Sequence, residues 1–248
     1  MEETLKQIVE NTKKGSSYLL TLSGKGSMLE KTFQPEIIGG CDYKLAFTSL
    51  DTYYSVPNID LSNNTLEISH NDGLFLIIPL DKGCYSLDDL DKEIRRQLKV
   101  LKMDDAVQFI PEYTTFRCVM KIKETYKVKF GDNSLASVLG FEKKVYIGRK
   151  ERYVSEHTLQ IMYINSILIH CDLVGNSYLN GTPTPIIHSF FPSVNPGEKI
   201  IERPVEHIYL PVDLDVIRHM RVWLTDQNLS LLDLGEEEVT IKFHLTCC

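Results

Sequence analysis

The sequence predicts an all-β chain, a jelly-roll β-sandwich with one or two short helices, on three observations. Apolar residues recur with period two over most of the chain. One stretch alone has the three-and-four spacing of a substantial helix. Long irregular segments rich in Gly, Pro, Asn and Ser separate the later strands.

The clearest strand is at the C-terminal side, where Val239, Ile241, Phe243 and Leu245 alternate with Thr240, Lys242, His244 and Thr246, as a strand with one wet face requires. Phe116, Cys118, Met120 and Ile122 repeat the pattern, and Tyr126, Val128 and Phe130 continue it after Lys123-Glu124-Thr125, a link short enough to suggest a hairpin. Tyr43, Leu45 and Phe47 form another face, and Tyr18, Leu20 and Leu22 a fourth. Leu74 to Ile78 and Ile161 to His170 are denser apolar runs that read as strands buried on both sides.

The helix runs from a capping box. Ser86, with Asp89 three residues on, precedes Leu87, Leu90, Ile94, Leu98 and Leu101, which form one apolar stripe. Asp88, Asp91, Lys92, Arg95, Arg96 and Lys99 form a solvated opposite side. A second short helix is expected over 134–139, ended by Gly140. Residues 1–16 read as an arm or short helix and 17–248 as a single jelly-roll domain, with a division near residue 150 as the lesser reading. The loops 175–185 and 191–204 keep apolar anchors (Tyr178, Leu179, Phe190, Phe191, Val194, Ile200, Ile201). They are therefore expected to carry interaction surfaces or to cross between sheets rather than to act as tethers.

The 248 residues carry 27 Lys and Arg against 34 Asp and Glu, a net charge of −7, and 43% are hydrophobic. This balance, without a basic tail, speaks against coating nucleic acid. No apolar run approaches the ~20 residues that span a bilayer, and the start MEETLKQIVENTKKG lacks the apolar stretch of a secretory signal. Neither a specific nucleic acid nor a membrane is expected as partner, and the N-x-S/T triplets at Asn63, Asn180 and Asn228 carry no weight without secretion. Six cysteines without a C-x-x-C pair suggest buried thiols in a reducing compartment, with Cys247 and Cys248 as a frayed end.

A search for catalytic chemistry returns nothing specific. Ser23-Gly24-Lys25-Gly26-Ser27 imitates a phosphate loop, but Leu19 stands where the loop's first Gly belongs, so it reads as a hairpin turn. His170, Cys171 and Asp172 are consecutive, so a strand turns at most two of them to one side, too few for a metal. His70, His157, His188, His207, His219 and His244 show no ligand spacing. Glu236, Glu237 and Glu238 read as a charged turn before the terminal strand. No catalytic residue, cofactor or metal is expected.

Five stretches carry a resemblance: LDTYYSVPNID from Leu50, IIPLDKGCYSLDDLDKEI from Ile77, INSILIHCDLVGNSYLNG from Ile164, SFFPSVNPGEKIIERPVEHIYLPV from Ser189 and WLTDQNLSLLDLGEEEVTIKFHL from Trp223. Together, and in this order, they resemble the penton proteins of Polinton/Maverick elements and adintoviruses, the small jelly-roll capsid proteins of those elements. The family's turn before its last strand reads Asp-Leu-Arg-Gly-Glu; here Asp233-Leu234-Gly235-Glu236 lacks the arginine, so any salt bridge depending on it is not expected. The resemblance implies a capsid subunit that self-assembles as a pentamer at icosahedral vertices beside a double-jelly-roll major capsid protein. It implies a virion location, with assembly inside the host cell. The alternatives are a minor capsid component at another position, a host-domesticated binding module, and a jelly-roll enzyme holding a metal.

A ring of five needs two different complementary flanks on each subunit, usually anchored by aromatics or arginine. Tyr53 and Tyr54, like Phe190 and Phe191, are adjacent aromatics that a strand sends to opposite faces, so each pair offers an interface anchor or two core residues. Arg203 and Arg221 are candidates for ion pairs with a neighbour or for solvent. Trp223 is assigned to core packing.

Overall fold

The computed structural model describes residues 17–38, 42–71, 73–150, 152–161, 163–212, 214 and 216–247. The expectations for residues 1–16, Cys41 and Cys248 lie outside them. The chain opens with β1 (Ser17–Lys25), β2 (Met28–Ile38) and β3 (Tyr43–Tyr53). A middle segment holds β4 (Thr65–His70), β5 (Leu76–Pro79), α1 (Leu87–Val100), β6 (Val107–Glu112), β7 (Arg117–Ile122), β8 (Tyr126–Lys129), α2 (Ala136–Leu139), β9 (Val145–Ile147) and β10 (Tyr153–Val154). The chain continues through β11 (Ile167–Cys171), β12 (Tyr178–Leu179), β13 (Thr182–Pro183), β14 (Ile186–Phe190), β15 (Lys199–Glu202), β16 (Leu210–Pro211), β17 (Val216–Thr225) and β18 (Glu238–Cys247).

Where the sequence suggests one domain over 17–248, the chain falls into two compact units, one of 1–55 with 164–248 and one of 56–163. In the first, two antiparallel sheets run in the orders β1-β18-β3-β15 and β14-β11-β17-β2. Among its eight main strands these are the first, eighth, third and sixth, facing the fifth, fourth, seventh and second. That alternation of sheets is the double Greek key of a jelly roll. The second unit is a long insertion between the third and fourth of these strands.

The alternation seen in the sequence explains the sandwich. Leu20 and Leu22 of β1, Leu45, Phe47 and Leu50 of β3, and Val239, Ile241, Phe243 and Leu245 of β18 are all buried. Leu20 lies opposite Phe243 and Leu22 opposite Ile241, and the Phe47 and Phe243 rings meet edge to face at 6.2 Å. Each such side chain contributes about 1.5–3 kcal/mol on burial. Thr240, Lys242, His244 and Thr246 take the other face. From the second sheet, all five residues of β11 are buried, but the strand begins only at Ile167; the described residues before it in the run expected from Ile161 are irregular, with Tyr163 40% exposed.

The second unit has its own core. On α1, Leu87, Leu90, Ile94 and Leu98 are buried together with residues of β4, β6, β7 and β8. Ser86 caps the helix as expected, its hydroxyl oxygen accepting from the Asp89 N–H at 3.1 Å. Asp91 departs from the solvated side: it is buried, and its carboxylate accepts the Phe109 N–H at 2.7 Å. The second helix is a single turn, ended by Gly140 at φ 78°, where a Cβ would lie 2.3 Å from the His157 carbonyl oxygen.

Three local expectations are corrected. Lys123 and Tyr126 close a turn (2.9 Å), but β7 and β8 do not pair across it; β7 lies between β6 and β10, and β8 between β4 and β9. Both strands turn their apolar residues into the core shared with α1, and each takes its backbone partners from other segments. Likewise Gly26 (φ 79°) turns the chain from one sheet to the other, since β1 pairs with β18 and β2 with β17. The run 74–78 is not buried on both sides. β5 is an edge strand that buries Ile78 and leaves Leu74, Leu76 and Ile77 exposed.

Cys118 and Cys171 are buried free thiols and Cys84 is half-buried. Cys247 is not frayed. It pairs with Tyr43 at the end of β18 and is disulfide-bonded. Burial pushes the thiols of Cys118 and Cys171 up to about 12 and that of Cys84 to about 11. A thiol near 12 is thiolate in about one molecule in ten thousand at pH 8, and the thiolate is the reactive form. Cys118 and Cys171 are therefore expected to resist iodoacetamide at pH 8 in the native protein and to react fully in urea, read by peptide mass spectrometry. Rapid native labelling of either would contradict the burial.

Candidate functional site

In the jelly-roll unit, strand directions bring four connections to one end: the β1–β2 turn, the exit of β3, and the loops from β14 to β15 and from β17 to β18. Backbone hydrogen bonds lace them. Tyr54 N–H donates to the Glu198 carbonyl at 2.9 Å and Gly197 N–H to the Tyr54 carbonyl at 2.8 Å. Gly26 N–H reaches the Glu237 carbonyl at 3.1 Å, and the Ser55 hydroxyl donates to the Leu234 carbonyl at 3.1 Å.

The loops also hold themselves. In the loop from β14 to β15, the Glu198 carboxylate accepts the backbone and side-chain N–H groups of Asn195 at 2.8 and 3.2 Å, which holds its pKa below the usual glutamate range. In the loop from β17 to β18, the Asp226 carboxylate accepts from Asn228 N–H and Ser230 N–H at 2.8 and 2.9 Å. Such paired loop backbones present side chains from fixed positions.

The adjacent aromatics divide between core and surface. Tyr53 is 46% exposed while Tyr54 is 3% exposed, and Phe191 is 57% exposed. Phe190 is half-buried, with its ring alongside His188 at 6.2 Å. His188 in turn stacks on Phe47 at 4.4 Å and pairs with the Glu202 carboxylate at 2.9 Å, joining β14 of one sheet to β15 of the other. Arg203 stands apart from this end. It lies beyond the far end of β15, exposed, with its guanidinium 3.9 Å from Asp51. Arg221 is paired with Glu30 at 3.4 Å, and Trp223 stacks on His170 at 5.0 Å within the second sheet.

Residues that the sequence reading missed also stand at the loop end. Met28, Leu229 and Leu231 are each about half exposed. The Leu231-Leu232 pair carried the same signal as the aromatic pairs, two apolar neighbours in an extended segment of which one, Leu232, is buried. Leu229 has φ +65°, a left-handed backbone that no apolar pattern announces.

Elsewhere, Ser17, His244 and Tyr209 form a chain of side-chain hydrogen bonds: the Ser17 hydroxyl meets His244 Nε2, and Tyr209 OH lies 2.7 Å from His244 Nδ1. This arrangement is exposed on the outer face of the first sheet, and the backbone amides near Ser17 are engaged in pairing with β18. Among the described residues, no three His, Cys, Asp or Glu side chains converge as metal ligands. No described helix is long and apolar enough to cross a membrane.

Strand order and a filled interior thus define a jelly-roll β-sandwich with a long insertion and an apolar, hydrogen-bonded loop end. No family model and no curated protein matches the chain. Among solved structures it is similar to the penton protein of mavirus, with 11% identity and a TM-score of 0.49 over 94% of this chain and 100% of that one. It also shows slight similarity to the D2–D3 domains of the flagellar cap protein FliD of Escherichia coli, with 13% identity and a TM-score of 0.21 over 91% and 98% of the two chains.

The division of the tyrosines gives a direct comparison. Tyr54→Ala is expected to lower unfolding stability by about 3 kcal/mol through loss of buried ring contacts, and Phe191→Ala by no more than about 0.5 kcal/mol. Urea unfolding of the two variants checks this; equal losses would contradict the exposure of Phe191.

Proposed function

We propose that the chain is a structural protein, a penton-like jelly-roll capsid subunit that self-associates as a pentamer at icosahedral vertices, beside a double-jelly-roll major capsid protein. The observation that carries this reading is a complete jelly roll whose interior is packed with side chains while large apolar residues stand out at its loop end. Leu22, Leu45, Leu50, Ile241, Phe243 and Leu245 occupy the space between the sheets where an enzymatic jelly roll would hold its ligand, and each is at most 2% exposed. Tyr53, Phe191, Leu229, Leu231 and Met28 are left to solvent in the single chain.

The chemistry fits assembly. A cyclic ring joins one flank of a subunit to a different flank of the next, commonly burying about 800 Å² on each partner. Exposed aromatics on loops held by backbone hydrogen bonds cost little entropy to dock, because the bound geometry exists beforehand. The five-segment resemblance to Polinton and adintovirus pentons points to the same role and, with it, to a virion location. Tyr53 and Phe191 are the anchors this reading favours. Tyr54 and Phe190 are their more buried chain neighbours, and Arg203, beside Asp51, is the remaining candidate.

Native mass spectrometry and negative-stain microscopy of the full chain at high protein concentration test the proposal. The expected result is a five-membered ring that Tyr53→Glu with Phe191→Glu reduces to monomer. A wild-type chain that stays monomeric, or an oligomer indifferent to the double substitution, would overturn it.

A further inference from the structure

The second sheet of the jelly roll contains a buried histidine, His170, one of whose ring nitrogens has no hydrogen-bond partner among the described residues. Ile169 shares its face with His188, which stacks on Phe47 of the opposite sheet, so Ile169 points into the sandwich. His170 therefore points to the outer face of its sheet, yet it is 2% exposed. Its ring lies flat on Trp223, its register partner on β17, with centroids 5.0 Å apart and planes 7° apart.

Its nitrogens are unequal. Nε2 lies 2.8 Å from the Thr225 hydroxyl. That hydroxyl donates its proton to the Asp226 carbonyl at 3.1 Å, so it accepts from Nε2–H, and Nδ1 carries the bare lone pair. Nδ1 is buried with no hydrogen-bond partner among the described residues. We propose that His170 is an acid-sensitive latch: a proton taken up at Nδ1 places an unpaired charge between β11 and β17 and loosens the second sheet.

The charged groups around it do not relieve that charge. On its own strand's extension, the Asp172 carboxylate accepts the Arg221 N–H at 2.9 Å and lies 3.8 Å from His219 Nε2. From β17 and the turn after it come Arg221, held by Glu30, and Asp226, whose carboxylate is committed to Asn228 and Ser230. β14 contributes Ile186 opposite His170, while its His188 faces the other way. Burial accordingly pushes the His170 imidazole below its usual range. A histidine depressed in the folded state binds its proton more readily when unfolded. Its contribution to stability is thus complete above about pH 6.5 and falls below it, with the unfolding constant rising about tenfold per pH unit until the folded-state value is passed.

The molecule supplies its own reporter, because Trp223 is the only tryptophan. Urea unfolding followed by Trp223 emission at pH 7.5 and 5.5 is expected to show an acid loss of stability in the wild type that His170→Gln reduces by up to about tenfold in the unfolding constant. Equal pH dependence of the two proteins would overturn the latch. An NMR titration of the wild-type imidazole decides the matter independently of the variant's folding. A His170 midpoint below the ordinary histidine value of about 6.5 supports the latch, and one at or above it overturns it. Both readings are made at low protein concentration, so they stand or fall separately from ring formation.

Discussion

The jelly roll depends on β18 entering the first sheet between β1 and β3. Its inward side chains Val239, Ile241, Phe243 and Leu245 are wholly buried, and its backbone is paired on both sides over nearly its whole length. Its partners are distant in sequence, since Ser17 pairs with Thr246 and Tyr43 with Cys247. Until β18 is in place, β1 has no partner in its sheet, and the inward faces of β1 and β3 are uncovered. Such non-local pairing makes folding slow, because loop closure precedes the contacts that reward it. The same strand supplies His244 to the outer face, so one alternating segment both seals the core and furnishes the solvent surface.

The insertion between β3 and β11 is a contrast in economy. Its core gathers α1, two small sheets and the stacked rings of Phe130 and Phe141 at 5.4 Å, with Tyr146 edge-on to both. Tyr146 OH and Lys144 share the Glu156 carboxylate, which extends the ring cluster into a polar network. The two units also differ in charge. Residues 56–163 hold equal numbers of acidic and basic side chains, so the whole net charge of −7 belongs to the jelly-roll unit. In the proposed assembly, self-association of that unit would have to overcome like-charge repulsion, and the exposed apolar loop end would supply the opposing attraction.

Much of this was legible in the residues. Period-two alternation in 239–245 and 43–47, the last residues of the apolar run that ends at His170, and the Ser86 cap with its leucine stripe all appear where local chemistry places them. Pairing was harder to read. Nothing within 116–130 says that β7 and β8 go to different sheets, because each strand's choice of partner depends on faces contributed from elsewhere in the chain. The run 74–78 looked fully buried because apolar character alone does not distinguish a central strand from an edge. The insertion was hidden for a similar reason: its strands have the same composition as those of the jelly roll, and only contacts separate the two.

The site followed the same rule. Adjacent aromatics left two outcomes open, an outward anchor or two core residues, and Tyr53 and Phe191 take the outward one. Which one, and the presence of Met28, Leu229 and Leu231 at the same end, depended on sheet order. Arg203 shows the limit of residue type as a guide, since Asp51 of the same chain lies beside it.

Amide hydrogen exchange read by mass spectrometry tests the central placement of β18 most directly. Peptides covering Val239 to Leu245 are expected to be among the last in the chain to take up deuterium, slower than the edge strands β2 and β5. Exchange there as fast as in the loop 191–198 would contradict a β18 inserted between β1 and β3, and with it the jelly roll.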